Sequence, residues 1–228
     1  MSGPNPWDNY FASLGAPLCE EVQAFESLGQ NCEFAFVQHG NGFGEGNLLS
    51  WALVEGGIPS LVKLLKQDFA GLFAQDALEP LHEGLLLKDK NYQIAFHSRW
   101  MVRQENGVIT PRPTQERDAI YAEEAAKHAY LIDKMRRQLA EGKRIWVYKS
   151  LTPVSWPDIL ALHAALNRFG RNQLLVVQNQ PERDGQAEPL DQDIYLGYLE
   201  RYASPAKTWY FDPTGWSKLL PATLRLAR

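Results

Sequence analysis

Between residues 92 and 97 apolar and polar positions alternate: Tyr92, Ile94 and Phe96 fall on one face, Gln93, Ala95 and His97 on the other. That period of two predicts a strand, with His97 at its end and turned away from the large apolar residues. The pattern elsewhere is helical. Pro59 begins a run to about residue 73 in which Leu61, Leu64, Leu65, Asp68, Phe69 and Leu72 recur by threes and fours, so that Leu61, Leu65 and Leu72 face a core. A longer stripe of Tyr121, Ala125, His128, Ile132, Met135 and Leu139 predicts a helix that Thr114 can cap and Gly142 stops.

Short apolar runs bounded by turn residues supply the other strands. Residues 22–28 read as the first strand, 29–31 as a tight turn and 32–39 as a short helix. Residues 143–148 read as a strand, followed by a helix that opens on a capping box at Ser155 and Asp158, with Pro157 in its first turn. A stop at Gly170 and a strand at 173–178 complete a β-α-β unit, which favours parallel pairing. The polar stretch 179–191 reads as a surface loop and 207–211 as a last strand. Asp212-Pro213 turns the chain into a closing helix at 216–226, interrupted by Pro221. This alternation predicts an α/β fold: one three-layer domain over 22–228 with a mostly parallel sheet flanked by helices, and residues 1–21 as an N-terminal extension.

Composition narrows the function classes. The 228 residues carry 23 basic and 27 acidic side chains, a formal charge of −4, with no cluster of lysine and arginine among aromatics. Nothing here resembles a phosphate-backbone footprint, so nucleic acid is not an expected partner. The start of the chain lacks the charged and apolar segments of a secretory signal, and no apolar run is long enough for a membrane span. A soluble, cytoplasmic protein is the expectation. The only cysteines, Cys19 and Cys32, are too few for a disulfide framework and read as free thiols.

Cys32 is the residue with the clearest chemical position. It follows Gly29-Gln30-Asn31 and opens a helix, where unpaired backbone N–H groups and the helix dipole favour a thiolate. The competing reading is a small buried hydrophobe packed where strand meets helix. A nucleophilic thiol needs a base. His39 lies about 10 Å along the same helix, too far for a hydrogen bond. His128 sits on the apolar stripe, as a buried histidine with one acceptor would, while His82 and His163 have no distinctive setting.

His97 differs, because a strand end opening on a loop is where α/β folds display reactive groups. If strands 22–28 and 92–97 are parallel neighbours, Cys32 and His97 emerge at one edge. Asp212, also following a strand, is the carboxylate placed to orient the imidazole, although aspartate before proline is equally a turn residue. The backbone N–H of Cys32 and the amides of Gln30 or Asn31 are the donors for an oxyanion, with Asn31 also suited to cap the helix. The glycines of 40–46 have no nucleotide-binding register. No motif calls for a metal or cofactor, and none is expected.

The run Ser27-Leu28-Gly29-Gln30-Asn31-Cys32-Glu33-Phe34-Ala35, followed by Leu48-Leu49-Ser50-Trp51 and Phe96-His97, resembles a bacterial family described as papain-like cysteine peptidases, often found beside glycosyltransferases or polysaccharide gene products. The resemblance covers about residues 25–99. It implies Cys32 as nucleophile and His97 as base, with Ser50 and Trp51 lining the site. Ser50 stands where the family has an aspartate, and Leu49 where it has a phenylalanine. Two functions follow as expectations. One is a cysteine hydrolase or acyltransferase acting on a small-molecule, peptide or glycoconjugate substrate. The other is a non-catalytic α/β module serving glycosyl transfer or polysaccharide synthesis.

Overall fold

The computed structural model describes residues 20–44, 46–105, 107–203, 207–208 and 210–228. A 3-10 turn at Glu20–Ala24 leads into β1 (Phe25–Ser27), which starts a five-stranded sheet. Its other strands are β8 (Ile145–Lys149), β9 (Gln173–Asn179), β10 (Ala187–Asp191) and β11 (Ile194–Leu199), in the order β1-β8-β9-β11-β10. The first four are parallel, and β10 closes the edge antiparallel to β11.

Alternation along these strands builds two cores. Trp146, Tyr148, Leu174 and Val176 point to one side, and Ile145, Val147, Leu175 and Val177 to the other. Both faces are covered, which is why Leu174 to Val177 form an unbroken apolar run. On one face lie α1 (Glu33–Gly40), through Phe34 and Val37, and α5 (Pro213–Leu226), through Trp216, Leu219 and Leu220. On the other lie α2 (Gly57–Lys66), α3 (Thr114–Glu141) and α4 (Trp156–Leu166), which contribute Leu61, Leu65, Met135, Leu139, Leu162 and Leu166. Ser155 caps α4 as its sequence requires, accepting from the Asp158 amide at 3.3 Å. Gly142 ends α3 at φ 61°, where a Cβ would stand 2.3 Å from the Arg171 carbonyl oxygen.

The single, mostly parallel sheet expected from the sequence is corrected here. A second sheet, antiparallel throughout, contains β2 (Ala52–Val54), β3 (Leu78–Leu81), β4 (Leu86–Asp89) and β5 (Ile94–His97) in the order β2-β5-β4-β3. A hairpin of β6 (Val102–Glu105) and β7 (Val108–Pro111) forms a third. Ala52, Val54, Leu87, Ile94 and Phe96 of the second sheet join the core that contains Trp146 and Leu174. β5 is therefore not a neighbour of β1, whose partner is β8.

Smaller differences have local causes. The first strand is shortened to three residues because 20–24 take a 3-10 path. α2 stops at Lys66, and Asp68, Phe69 and Phe73 turn the chain at positive φ; Leu61, Leu65 and Leu72 are nevertheless buried as expected. The polar stretch 179–191 contains β10, an edge strand whose exposed side carries few apolar residues, which hid it from a hydrophobic reading. Residues 207–208 and 210–211 are not strand; Trp209 lies outside the described residues, as do Cys19 and nearly all of 1–21. α5 passes through Pro221 without ending.

Candidate active site

The turn that presents Cys32 is built by unusual backbone. Leu28 continues the β1 pairing through its amide to Val147 O at 2.9 Å. Gly29 and Gln30 then both take left-handed conformations, at φ 82° and 81°. Glycine does this freely, and Gly29 has no room for a side chain, since a Cβ would lie 2.6 Å from Val54 Cγ2. Gln30 does it at a cost, of the kind that folds concentrate at functional positions. Asn31 Oδ1 accepts from the Glu33 amide at 3.0 Å, and the Phe36 amide donates to Cys32 O at 3.1 Å, so α1 starts at Cys32. The N-cap itself is Cys32, which makes no side-chain cap bond; Asn31 lies one residue before it and bonds only the first helical amide, so the expected cap role is corrected to that of a turn residue.

The imidazole arrives from the second sheet. His97 ends β5 opposite Leu86, and its Nε2 lies 3.8 Å from Cys32 Sγ. Cys32 is half-buried and free of any disulfide, and His97 is exposed. The backbone beyond His97 is held by α3: Glu124 accepts from Ser98 Oγ and from the Arg99 amide, each at 2.6 Å. Glu124 is buried, so these charge-assisted bonds fix the direction in which β5 ends.

The electrostatics run opposite to the expected thiolate. Burial pushes the Cys32 thiol from its ordinary 9.0 up to about 11. His97 keeps an exposed edge, and the partial desolvation of the rest of its ring first, then the Lys127 ammonium, lower it below its ordinary value. Desolvation disfavours both charged forms and outweighs the pull of one short helix. The resting pair is a neutral thiol beside a neutral imidazole, a state in which His97 is free to take a proton.

Asp212, the expected orienting carboxylate, is instead the N-cap of α5. Its Oδ1 accepts from the amides of Thr214 at 3.0 Å and Gly215 at 3.3 Å. Among the described residues no carboxylate bonds to the His97 ring. Ser50 is buried, its Oγ accepting from the Asn47 amide at 2.8 Å, while the Asn47 side chain donates to Glu26 and to Ser27 O. It supports the loop from beneath. Trp51 is partly exposed and stands edge-on to Phe36, with ring centroids 4.9 Å apart. Two amide atoms next to Cys32 are buried without partners, Gln30 Oε1 and Asn31 Nδ2. The Asn31 nitrogen is thus a buried donor left without a partner beside the turn.

Two cavities flank His97. One of about 460 Å³ is walled by Leu48, Trp51, Phe96 and Leu131, with Lys127 and His128 beside His97. The other, about 910 Å³, runs past His82, Arg99, Arg103, Arg112 and Glu124. His128 is buried, stacks on Phe73 at 3.7 Å, and donates from Nδ1 to Glu124 O at 2.8 Å; burial lowers it to about 4. It is the satisfied core histidine of the apolar stripe, and also part of both cavity walls. His163 bonds to Asn172 O and is structural.

Sequence reasoning missed Glu124, Lys127 and the pair Glu33–Lys149. Glu124, Lys127, His128 and Leu131 are spaced by three, four and seven along α3, a polar interruption of its apolar stripe that marks a face toward a cleft. Glu33 had no such signal. It is fully buried and holds Lys149 Nζ at 2.5 Å, the Ala203 amide at 3.2 Å and Trp216 Nε1 at 3.2 Å. Burial lowers the Lys149 pKa while Glu33 pulls it back up. The residue after Cys32 is thereby tied to β8 and α5.

Among the described residues no group of His, Cys, Asp or Glu is arranged to hold a metal ion, and no helix is long and apolar enough to cross a membrane. Comparison with protein-family models, curated proteins and solved structures finds no match to this chain.

Proposed function

We propose that the protein is a thiol-dependent hydrolase or acyltransferase in which Cys32 is the nucleophile and His97 the base. The observation that carries this reading is the 3.8 Å approach of Sγ and Nε2 from two different sheets. Contacts of this length in an unliganded site tighten when a substrate enters. In the reaction Sγ attacks an acyl carbon as its proton passes to Nε2, and the oxyanion takes hydrogen bonds from the Cys32 N–H and Asn31 Nδ2. Collapse breaks the bond to the leaving group, which receives the proton from His97. Water, or an acceptor hydroxyl or amine, then cleaves the thioester, and its proton returns through His97 to the thiol. Because the pair rests neutral, the base acts during attack rather than beforehand.

The acyl donor in this reading is a peptide, small molecule or glycoconjugate, and the need for a free thiol suits the cytoplasm. The experiment is acylation by p-nitrophenyl acetate followed by peptide mass mapping. One acetyl group on the Cys32 peptide, lost in Cys32→Ala and slowed at least tenfold in His97→Ala, is the expected result. Acetylation insensitive to His97 would overturn the reading.

A second reading, a non-catalytic α/β module of a glycosyl-transfer or polysaccharide pathway, is favoured by the raised thiol pKa and by the lack, among the described residues, of a carboxylate on the His97 ring. It expects a folded Cys32→Ala protein with full function in the cell.

A further inference from the structure

The substrate class can be read from what surrounds the base, on the premise that Cys32 and His97 act as proposed. His97 lines both cavities, whereas Cys32 is in the wall of neither. In acyl transfer the nucleophile faces the acyl carbon and the acid faces the leaving atom. A group seated in either space would rest against the imidazole, the side from which a leaving atom takes its proton.

Among the described residues, the smaller cavity combines an apolar wall with a single ammonium. Its volume of about 460 Å³ falls within the roughly 300–1,000 Å³ of small-ligand pockets. Leu48, Trp51, Phe96 and Leu131 supply an apolar wall, and Gly44 and Gly46 add no side chains. Lys127 is its cation. Among the described residues no carboxylate pairs with Lys127: Glu123 is held by Arg99 at 3.4 Å, and Glu124 by Ser98 and the Arg99 amide. Lys127 also lowers the pKa of both His97 and His128, which places its charge close to the two rings. His128 adds an acceptor. Its Nδ1 must carry the hydrogen given to the Glu124 carbonyl, so the neutral ring has a bare Nε2.

We propose that this cavity binds an apolar or aromatic amino acid with a free carboxylate as the leaving group. Its carboxylate pairs with Lys127, its side chain rests on Trp51, Phe96 and Leu131, and its nitrogen lies between His97 and the His128 acceptor. The substrate is then an N-acyl amino acid or a peptide cleaved before its last residue. Sγ bonds to the acyl carbon, the C–N bond breaks, and the nitrogen takes its proton from His97. Water completes hydrolysis.

The test is calorimetric titration of the full-length Cys32→Ala protein with N-acetyl-L-phenylalanine, its C-terminal amide, and N-acetyl-L-alanine. The carboxylate form of the phenylalanine compound is expected to bind at least tenfold more tightly than either of the others. Adding Lys127→Met should erase the preference over the amide without weakening the amide itself, and Lys127→Arg should restore it. Equal affinities, no binding, or a preference that survives Lys127→Met would overturn the proposal. The titration needs no turnover, so its failure is separate from a failure of Cys32 to acylate.

Discussion

Glu124 of α3 grips the chain one and two residues beyond His97, accepting from Ser98 Oγ and the Arg99 amide at 2.6 Å each. The imidazole proposed as the base is thus aimed by a carboxylate that does not touch its ring. Glu124→Ala should cost about 1.5–3 kcal/mol of stability, the worth of a hydrogen bond to a charged group. It should also slow Cys32 acylation under conditions where the protein remains folded. Urea denaturation and the acylation rate together check this, and an unchanged rate would remove the positioning role.

Thiol reactivity should follow burial rather than the helix start. With Cys32 at about 11 instead of 9.0, its thiolate is roughly a hundredfold scarcer than that of an ordinary cysteine at pH 8. Alkylation by iodoacetamide, mapped to the Cys32 peptide, should be correspondingly slow and should keep rising to pH 10. A plateau near neutral pH would show a preformed thiolate. Acyl transfer, assisted by His97, should instead rise with an apparent midpoint below the ordinary 6.5 of imidazole and then level off, because His97 is lowered from that value.

Acid stability should reflect His128. Its folded value of about 4 lies below the ordinary 6.5, so the unfolded chain takes up the proton first as pH falls. Stability is complete above pH 6.5 and declines toward pH 4, by up to about 3 kcal/mol from this residue. Denaturation midpoints between pH 7 and 4.5 check the slope. His128→Phe should flatten it.

The buried ion pair behind Cys32 should be sensitive to loss of one partner. Removing Lys149 as Lys149→Met leaves the Glu33 charge buried, at a cost of about 3–5 kcal/mol. The double replacement Glu33→Gln with Lys149→Met should recover part of that loss. Thermal denaturation of the single and double variants decides it; additive losses would mean the two side chains stabilise independently.

Local structure was legible wherever neighbours in sequence decide it. The helix ending at Gly142, the Ser155 cap and the parallel pair β8–β9 follow from periodicity, capping chemistry and chirality, whereas Thr114 is the first helical residue behind Pro113 and does not cap it. The second sheet was not legible. Only β5, inside the alternating run 92–97, was read as a strand; β2, β3 and β4 are four residues or fewer, too short for a period of two to stand out from their surroundings. The supposed adjacency of strands 22–28 and 92–97 was wrong, yet the residues at their ends meet. Two sheets sharing one core bring their ends to the same cleft.

Sequence alone singled out the candidates: a cysteine at a helix start, after a tight turn opened by Gly29, and a histidine at a strand end. Those are local facts, set by dihedral preference and spacing. Tertiary structure decided what surrounds them. It lifted the thiol pKa by burial, took Asp212 for a helix cap, and supplied Glu124 and Lys127 from a helix whose pattern named only its apolar stripe. Charge and solvation depend on which distant side chains exclude water, and no short window of sequence contains them.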